Sequence, residues 1–319
     1  MKKTIALVLL SLAIFSSCKK DSGPEQTAGT PPAKARLRFV FKFDSTQVRL
    51  NNVGAVSTIP ANHQAQSPKF NGMAAHYIEL APGDFTAIGA GAKIYSTPTV
   101  VTTPVTVTSP AGSTTFTNAI DFSQQPVKGD GEEFYSVELA SVPPGTYKWL
   151  RVSLAYQNYD IKYKYTYMGT PLYLNGTVAS FIGYQTYIGS YTIKTQSMPI
   201  NAGKVQGYWG FETSYAGTTT TSEGQAPSGA TTVVNPLFAS SPLPTGSCLV
   251  TGQFVNSTGA NQLLTITGNE TSDITVVVSL STNKSFEWVE HSGDTWYEPL
   301  AHDTVVDMGV RGMIPKIQP

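Results

Sequence analysis

The chain has 319 residues with 21 lysines and arginines against 21 aspartates and glutamates, and only 13% of its residues are charged. That is about half the usual quarter, and with zero net charge no basic face is available for a nucleic acid. Low charge with abundant Thr, Ser, Tyr and Gly suits an extracellular β-protein, and the length fits one large or two ordinary domains.

Lys2 and Lys3 precede an apolar run from Ile5 to Ile14 that only Ser11 interrupts. Ten helical residues span about 15 Å, half the hydrocarbon thickness of a bilayer, so the run reads as a secretory signal over residues 1–17 and not as an anchor. Phe15-Ser16-Ser17-Cys18 resembles the lipobox of bacterial lipoproteins, in which the cysteine thiol receives a diacylglycerol before cleavage. The family pattern prefers Leu where Phe15 stands. Acyl chains on Cys18 imply a tethered domain held at a membrane without spanning it. Lys19-Lys20-Asp21 resembles the surface-export signal of lipoproteins in Bacteroidota. Since no Asp follows Cys18 directly, the expected location is the outer membrane, with exposure at the cell surface as the further expectation. The Pro-, Gly-, Thr- and Ala-rich stretch to residue 35 completes a lipidated flexible tether over 18–35. Cys248, the remaining cysteine, is left without a disulfide partner and reads as a small buried hydrophobe.

From residue 36 to 319 the elements predicted are strands. Leu37, Phe39, Phe41 and Phe43 alternate with Arg38, Val40 and Lys42, a half-buried strand. Further short strands are expected at 76–80, 93–95, 134–139 and 147–156, with a Val142-Pro143-Pro144-Gly145 turn between the last two. The Thr/Pro/Val-rich stretch 97–117 fits either a strand pair or a long surface loop. Asn175-Gly176 predicts a two-residue hairpin turn between strands at 172–174 and 178–182. Residues 208–211 read as a strand, and 213–245 as a long Gly/Ser/Thr/Pro loop and the one plausible domain seam. Strands at 248–255, 263–267 and 273–286 close the series. No segment beyond the signal carries a helical apolar stripe. The fold class expected is all-β, an antiparallel β-sandwich, immunoglobulin-like or elaborated, in one domain over 36–319.

Three groups of residues are candidates for function. Nine of the sixteen tyrosines fall between Tyr156 and Tyr191; Tyr159, Tyr163, Tyr165 and Tyr167 share one strand face, with Lys162 and Lys164 on the other. Such rings either line a sandwich core, leaving both lysines in water, or present an aromatic platform to a glycan or other flat ligand. Glu290, Ser292, Asp294 and Glu298 place oxygens at spacings that resemble a degenerate calcium loop, with Asp303 and Asp307 nearby. It lacks the usual glycine at the sixth position and has Ala301 where the twelfth-position carboxylate belongs; a plain acidic hairpin loop is the simpler reading. The four histidines, His63, His76, His291 and His302, have no spacing that puts two metal ligands on one element. No nucleophile elbow, cooperating carboxylate pair or phosphate-cradling glycine run is present, since Glu132 and Glu133, being adjacent, point to opposite faces of a strand. The chain therefore reads as a non-enzyme.

Leu37–Phe43, then His76-Tyr77-Ile78-Glu79-Leu80, then Val142-Pro143-Pro144-Gly145-Thr146-Tyr147 and Arg151-Val152-Ser153-Leu154 follow in an order that resembles the methanobactin-associated (MbnP-like) family of exported β-sandwich proteins. The resemblance covers about the first half of the mature chain and implies a copper-linked role, without a ligand set that matches residue by residue. Val305–Gly312 looks like a tail shared by related surface lipoproteins. The function expected is an anchored binding or structural module with a glycan or protein partner. The alternatives are a copper- or calcium-binding accessory protein and, third, a glycan-active surface protein.

Overall fold

The computed structural model describes residues 34–109, 112–227, 229–230, 234–237 and 249–318. The signal, Cys18 with most of its tether, and Cys248 lie outside the described residues. From Lys34 onward the chain forms one compact unit.

Twenty strands follow one another with only three short 3-10 turns among the described residues. They are β1 (Arg36–Asp44), β2 (His63–Gln66), β3 (Lys69–Ala81), β4 (Ala92–Ser96), β5 (Thr99–Ser109), β6 (Gly112–Asp121) and β7 (Glu133–Glu138). Next come β8 (Gly145–Tyr147), β9 (Trp149–Tyr167), β10 (Thr170–Phe181), β11 (Gln185–Thr192), β12 (Ser197–Val205), β13 (Tyr208–Tyr215) and β14 (Thr218–Gln225). The series ends with β15 (Leu249–Gln253), β16 (Leu264–Ile266), β17 (Ile274–Ser281), β18 (Phe286–Val289), β19 (Thr304–Asp307) and β20 (Met313–Gln318).

The fold is all-β, built from sheets packed face to face. A central sheet runs β14-β13-β10-β9-β3-β4, with β15 also paired to β9. On one face it shares a core with the sheet β20-β17-β1-β7: Leu37, Phe39 and Phe41 meet Ile78, Leu80, Val152 and Val178. On its other face Ala74, Tyr156, Ala179, Phe181 and Tyr208 pack with Ile188 and Tyr191 of the sheet β12-β11-β6-β5. Neighbouring Val178 and Ala179 thus serve different cores, as successive strand residues must. This two-sided burial is why β9 is buried without interruption from Trp149 to Tyr159. Among the polar groups caught there, Arg151 and Glu79 are fully buried and paired at 3.2 Å.

Several expectations need correction. Asn175-Gly176 is not a turn: both residues are extended inside β10, and the hairpin turns at Met168-Gly169, whose φ angles are 47° and 78°. Positive φ at both central residues is what a tight hairpin requires, and a glycine at the second position supplies it. Residues 213–225 are not loop or seam, because β13 runs to Tyr215 and turns at Ala216-Gly217 into β14, the sheet edge. Thr/Ser-rich composition suits an edge strand exposed on its outer side. Of the two readings of 97–117 the strand pair is the one that forms, as the β5–β6 hairpin. Pairing is not wholly antiparallel, since β1 and β17 run parallel over eight residue pairs. More than two hundred residues separate them, so no tight turn dictates their direction.

Candidate functional site

The chain from Phe286 to Met308 roofs part of the sheet formed by β9, β10 and β13, and the Lys164 amide of β9 donates to the Tyr297 carbonyl at 2.8 Å. Between sheet and roof lies a cavity of about 500 Å³, within the 300–1,000 Å³ range of small-molecule sites. Ile161, Val178, Phe286 and Met308 are its buried apolar lining. Tyr163 and Tyr165 of β9, Trp209 and Phe211 of β13, and Tyr297 of the roof bring five more aromatic rings to it. Thr220, Thr221, Ser222 and Gln225 of the edge strand form a polar, exposed rim.

Two glycines make room for the rings of β13. A Cβ on Gly176 would lie 2.1 Å from Phe211 Cζ, and one on Gly224 would lie 2.5 Å from Trp209 Cζ2. Each ring therefore lies down on a flanking strand instead of standing up from the sheet. The Asn175-Gly176 dipeptide that imitates a turn is in fact the bed of Phe211. Tyr163 meets Phe211 edge-on at 5.5 Å, and its hydroxyl donates to Thr213 Oγ1 at 3.0 Å. Thr213 in turn donates to the Asn175 carbonyl at 2.9 Å, which ties β9, β13 and β10 together beneath the cavity. On the roof Tyr297 packs edge-on against Phe286 at 5.1 Å, and burial pushes its phenol up to about 12, so it stays a hydrogen-bond donor at neutral pH.

The tyrosine face splits between the two readings. Tyr159 is fully buried in the main core, beside Phe70 at 5.0 Å, so it belongs to no platform. Tyr163 and Tyr165 line the cavity, and Tyr167 is exposed at the strand end outside it. Sequence reasoning missed Trp209, Phe211, Phe286 and Tyr297. The alternation Trp209-Gly210-Phe211 on one strand was the available signal, since it sets two large rings on one face.

The expected calcium loop is assembled differently. Lys164, expected in water, extends its ammonium to Asp294 at 2.5 Å and Glu298 at 2.8 Å, and those two carboxylates hold its pKa well above the ordinary lysine value. Thr166 Oγ1 donates to Glu298 at 2.5 Å. Glu290 turns back on its own loop and accepts from the Ser292 amide at 2.7 Å, the Ser292 hydroxyl at 2.5 Å and the Gly293 amide at 3.0 Å. Asp303 accepts from the amides of His291 and Glu298 at 2.9 and 2.7 Å. Glu290, Ser292, Asp294 and Glu298 thus do not converge on one point, and the chain's own cation takes the place of a metal ion between the last two. Among the described residues no three His, Cys, Asp or Glu side chains gather in a metal-holding group.

A second charged cluster is also self-contained. Arg49 pairs with Glu287, Arg311 with Asp307, and His63 Nδ1 lies 2.5 Å from Glu287 Oε1. Burial raises the Asp307 carboxyl to about 7 against the opposing pull of Arg311 and Arg49. The paired charges read as structural, fastening β18 and β19 to the segment around Arg49.

No protein-family model, curated protein or solved structure matches the chain.

Proposed function

We infer that the chain is an exported lipoprotein, anchored through Cys18 at the outer membrane, whose β-domain binds a small molecule or the end of a larger one. The observation that carries the binding reading is the aromatic cavity between β9–β14 and the roof from Phe286 to Met308. Concave, mostly apolar sites with a few convergent polar groups are the usual form of a ligand site. The lipobox at Phe15–Cys18, the tether behind it and the low charge of the domain support an exported, membrane-held module. A calcium- or copper-binding role has less support, because the carboxylates that suggested calcium are engaged by Lys164 and by backbone amides.

Two experiments test this reading. Cys18→Ala is expected to abolish labelling by a fatty-acid analogue and release the protein from membranes; continued labelling retires the anchor. For the domain, a chemically diverse compound library is screened by thermal shift against wild type and Thr220→Trp. Thr220 is exposed on the rim, so an indole there obstructs the cavity while leaving the core untouched. Compounds that raise the Tm of wild type but not of the variant are expected, since a ligand of the folded state stabilises it by mass action. A library without any such compound overturns the binding reading.

A further inference from the structure

We propose that the cavity selects an uncharged ligand with a flat, largely apolar ring system, contacted at its edge by hydroxyl groups of the protein. This rests on the reading that the cavity is a binding site and specifies what it takes.

Among the described residues no lysine, arginine or histidine lines the cavity, so an anionic ligand would lose its hydration there without gaining a counter-ion. The single ionisable carboxyl among the lining residues is Asp303, and both its oxygens already accept backbone amides, from His291 and Glu298. A carboxylate there works against an anion, and each of its oxygens already spends one acceptor site on fixing the roof.

Gly176 and Gly224 leave no side chain between the sheet and the rings of Phe211 and Trp209, which lie along the sheet and present extended apolar surface. Both rings are partly exposed. An aliphatic chain would be served equally well by the leucines and valines that fill the cores. Aromatic rings at these positions instead favour offset stacking or edge-on contact with another ring.

Thr220, Thr221, Ser222 and Gln225 at the rim and the protonated Tyr297 hydroxyl are neutral groups that donate or accept. They suit a hydroxyl or carbonyl at the edge of a ring compound. A saccharide, hydroxylated all round, would leave most of its polar groups against the apolar lining.

The test is calorimetric titration of wild type with four probes of matched or contrasting chemistry: naphthol, naphthoate, naphthyl-trimethylammonium and cellobiose. Naphthol is expected to bind saturably and at least about tenfold more tightly than naphthoate, the difference of roughly 1.4 kcal/mol that a tenfold ratio represents. Thr220→Trp is expected to abolish naphthol binding, and Trp209→Ala to weaken it at least about tenfold. Because Trp209 is partly exposed, the alanine variant should fold; if it does not, the rim variant alone decides. Tighter binding of the ammonium probe would overturn neutrality and make the rings a cation cage. Binding of cellobiose in place of naphthol would overturn the apolar-ring class while leaving the binding site intact. Naphthoate binding as tightly as naphthol, or no probe binding at all, also overturns this ligand class. Whether the cavity binds anything is decided separately by the library screen.

Discussion

Phe211 lies against Gly176 so closely that a Cβ on the glycine would fall 2.1 Å from the phenyl Cζ. The pair spans β10 and β13, two residues removed from direct register, since Gly176 faces Thr213 and Val178 faces Phe211. The glycine costs strand stability through backbone entropy, and the ring recovers part of it by covering the bare backbone.

Gly176→Ala is therefore expected to destabilise the domain, although its backbone is extended and alanine is normally the better residue in a strand. The methyl must displace a ring that is held from the other side by Tyr163. Overpacking of this kind costs about 1–3 kcal/mol. Urea denaturation should show a lower midpoint at unchanged slope. An unchanged or higher midpoint would mean the ring swings away freely and is not fixed by its neighbours.

A second prediction concerns Lys164. With its ammonium between Asp294 and Glu298, millimolar calcium, the range in which weak extracellular sites respond, should leave the wild-type Tm unchanged. Lys164→Met should lower the Tm in the absence of calcium, because Glu298 is buried and would lose its cationic partner, keeping only the Thr166 hydroxyl. A calcium-dependent rise in wild type would show that the ion displaces the ammonium.

Much of this architecture was legible in the sequence. β1 declares itself because one face of Leu37, Phe39 and Phe41 is buried while Arg38 and Lys42 are not. The Tyr163–Tyr165 face is legible for the same reason. Three features were hidden. β9 is buried on both sides around Leu154 and Ala155, so alternation vanishes where burial is greatest. Asn175-Gly176 has the composition of a turn, but a ring from a strand more than thirty residues later decides its conformation. Asp294 and Glu298 share an oxygen spacing with metal loops, and only the approach of Lys164, from β9, shows which cation they serve. In each case the deciding contact is remote in sequence.

The Arg151–Glu79 pair gives a third prediction. Both side chains are fully buried. Arg151 also donates to the carbonyls of Thr86 and Ala87, and Glu79 accepts from the amides of Gly89 and Gly91 at 3.0 and 2.7 Å. The pair thus holds the 82–91 loop against β3 and β9. Arg151→Met should cost about 3–5 kcal/mol, since it strands a buried carboxylate. Adding Glu79→Gln should cost less than the sum of the two single changes. Strict additivity in a double-mutant cycle would show that the two groups are not coupled.

The last prediction is a pH dependence assigned to His76. Its Nε2 lies 2.7 Å from Ser153 Oγ, its ring meets Tyr184 edge-on at 5.6 Å, and burial pushes its pKa down from 6.5 to about 4. The folded state thus binds this proton less readily than the unfolded chain does. The stability this neutral imidazole contributes is complete above the unfolded value of 6.5 and is lost as pH falls toward 4. His76→Gln keeps a polar partner for Ser153 and removes the titration. Subtracting the variant's unfolding free energy from that of wild type cancels the groups common to both, including Asp307, whose raised pKa works in the opposite direction across the same window. The difference should fall by roughly 2–3 kcal/mol between pH 7 and pH 4, as the imidazole's fall from 6.5 to about 4 implies at about 1.36 kcal/mol per tenfold change in proton affinity. Urea titrations at four or five pH values measure it. A difference that stays flat over that window would mean that His76 takes up its proton in the folded state as easily as in the unfolded one, through an opening of β3 from β9 at Ser153.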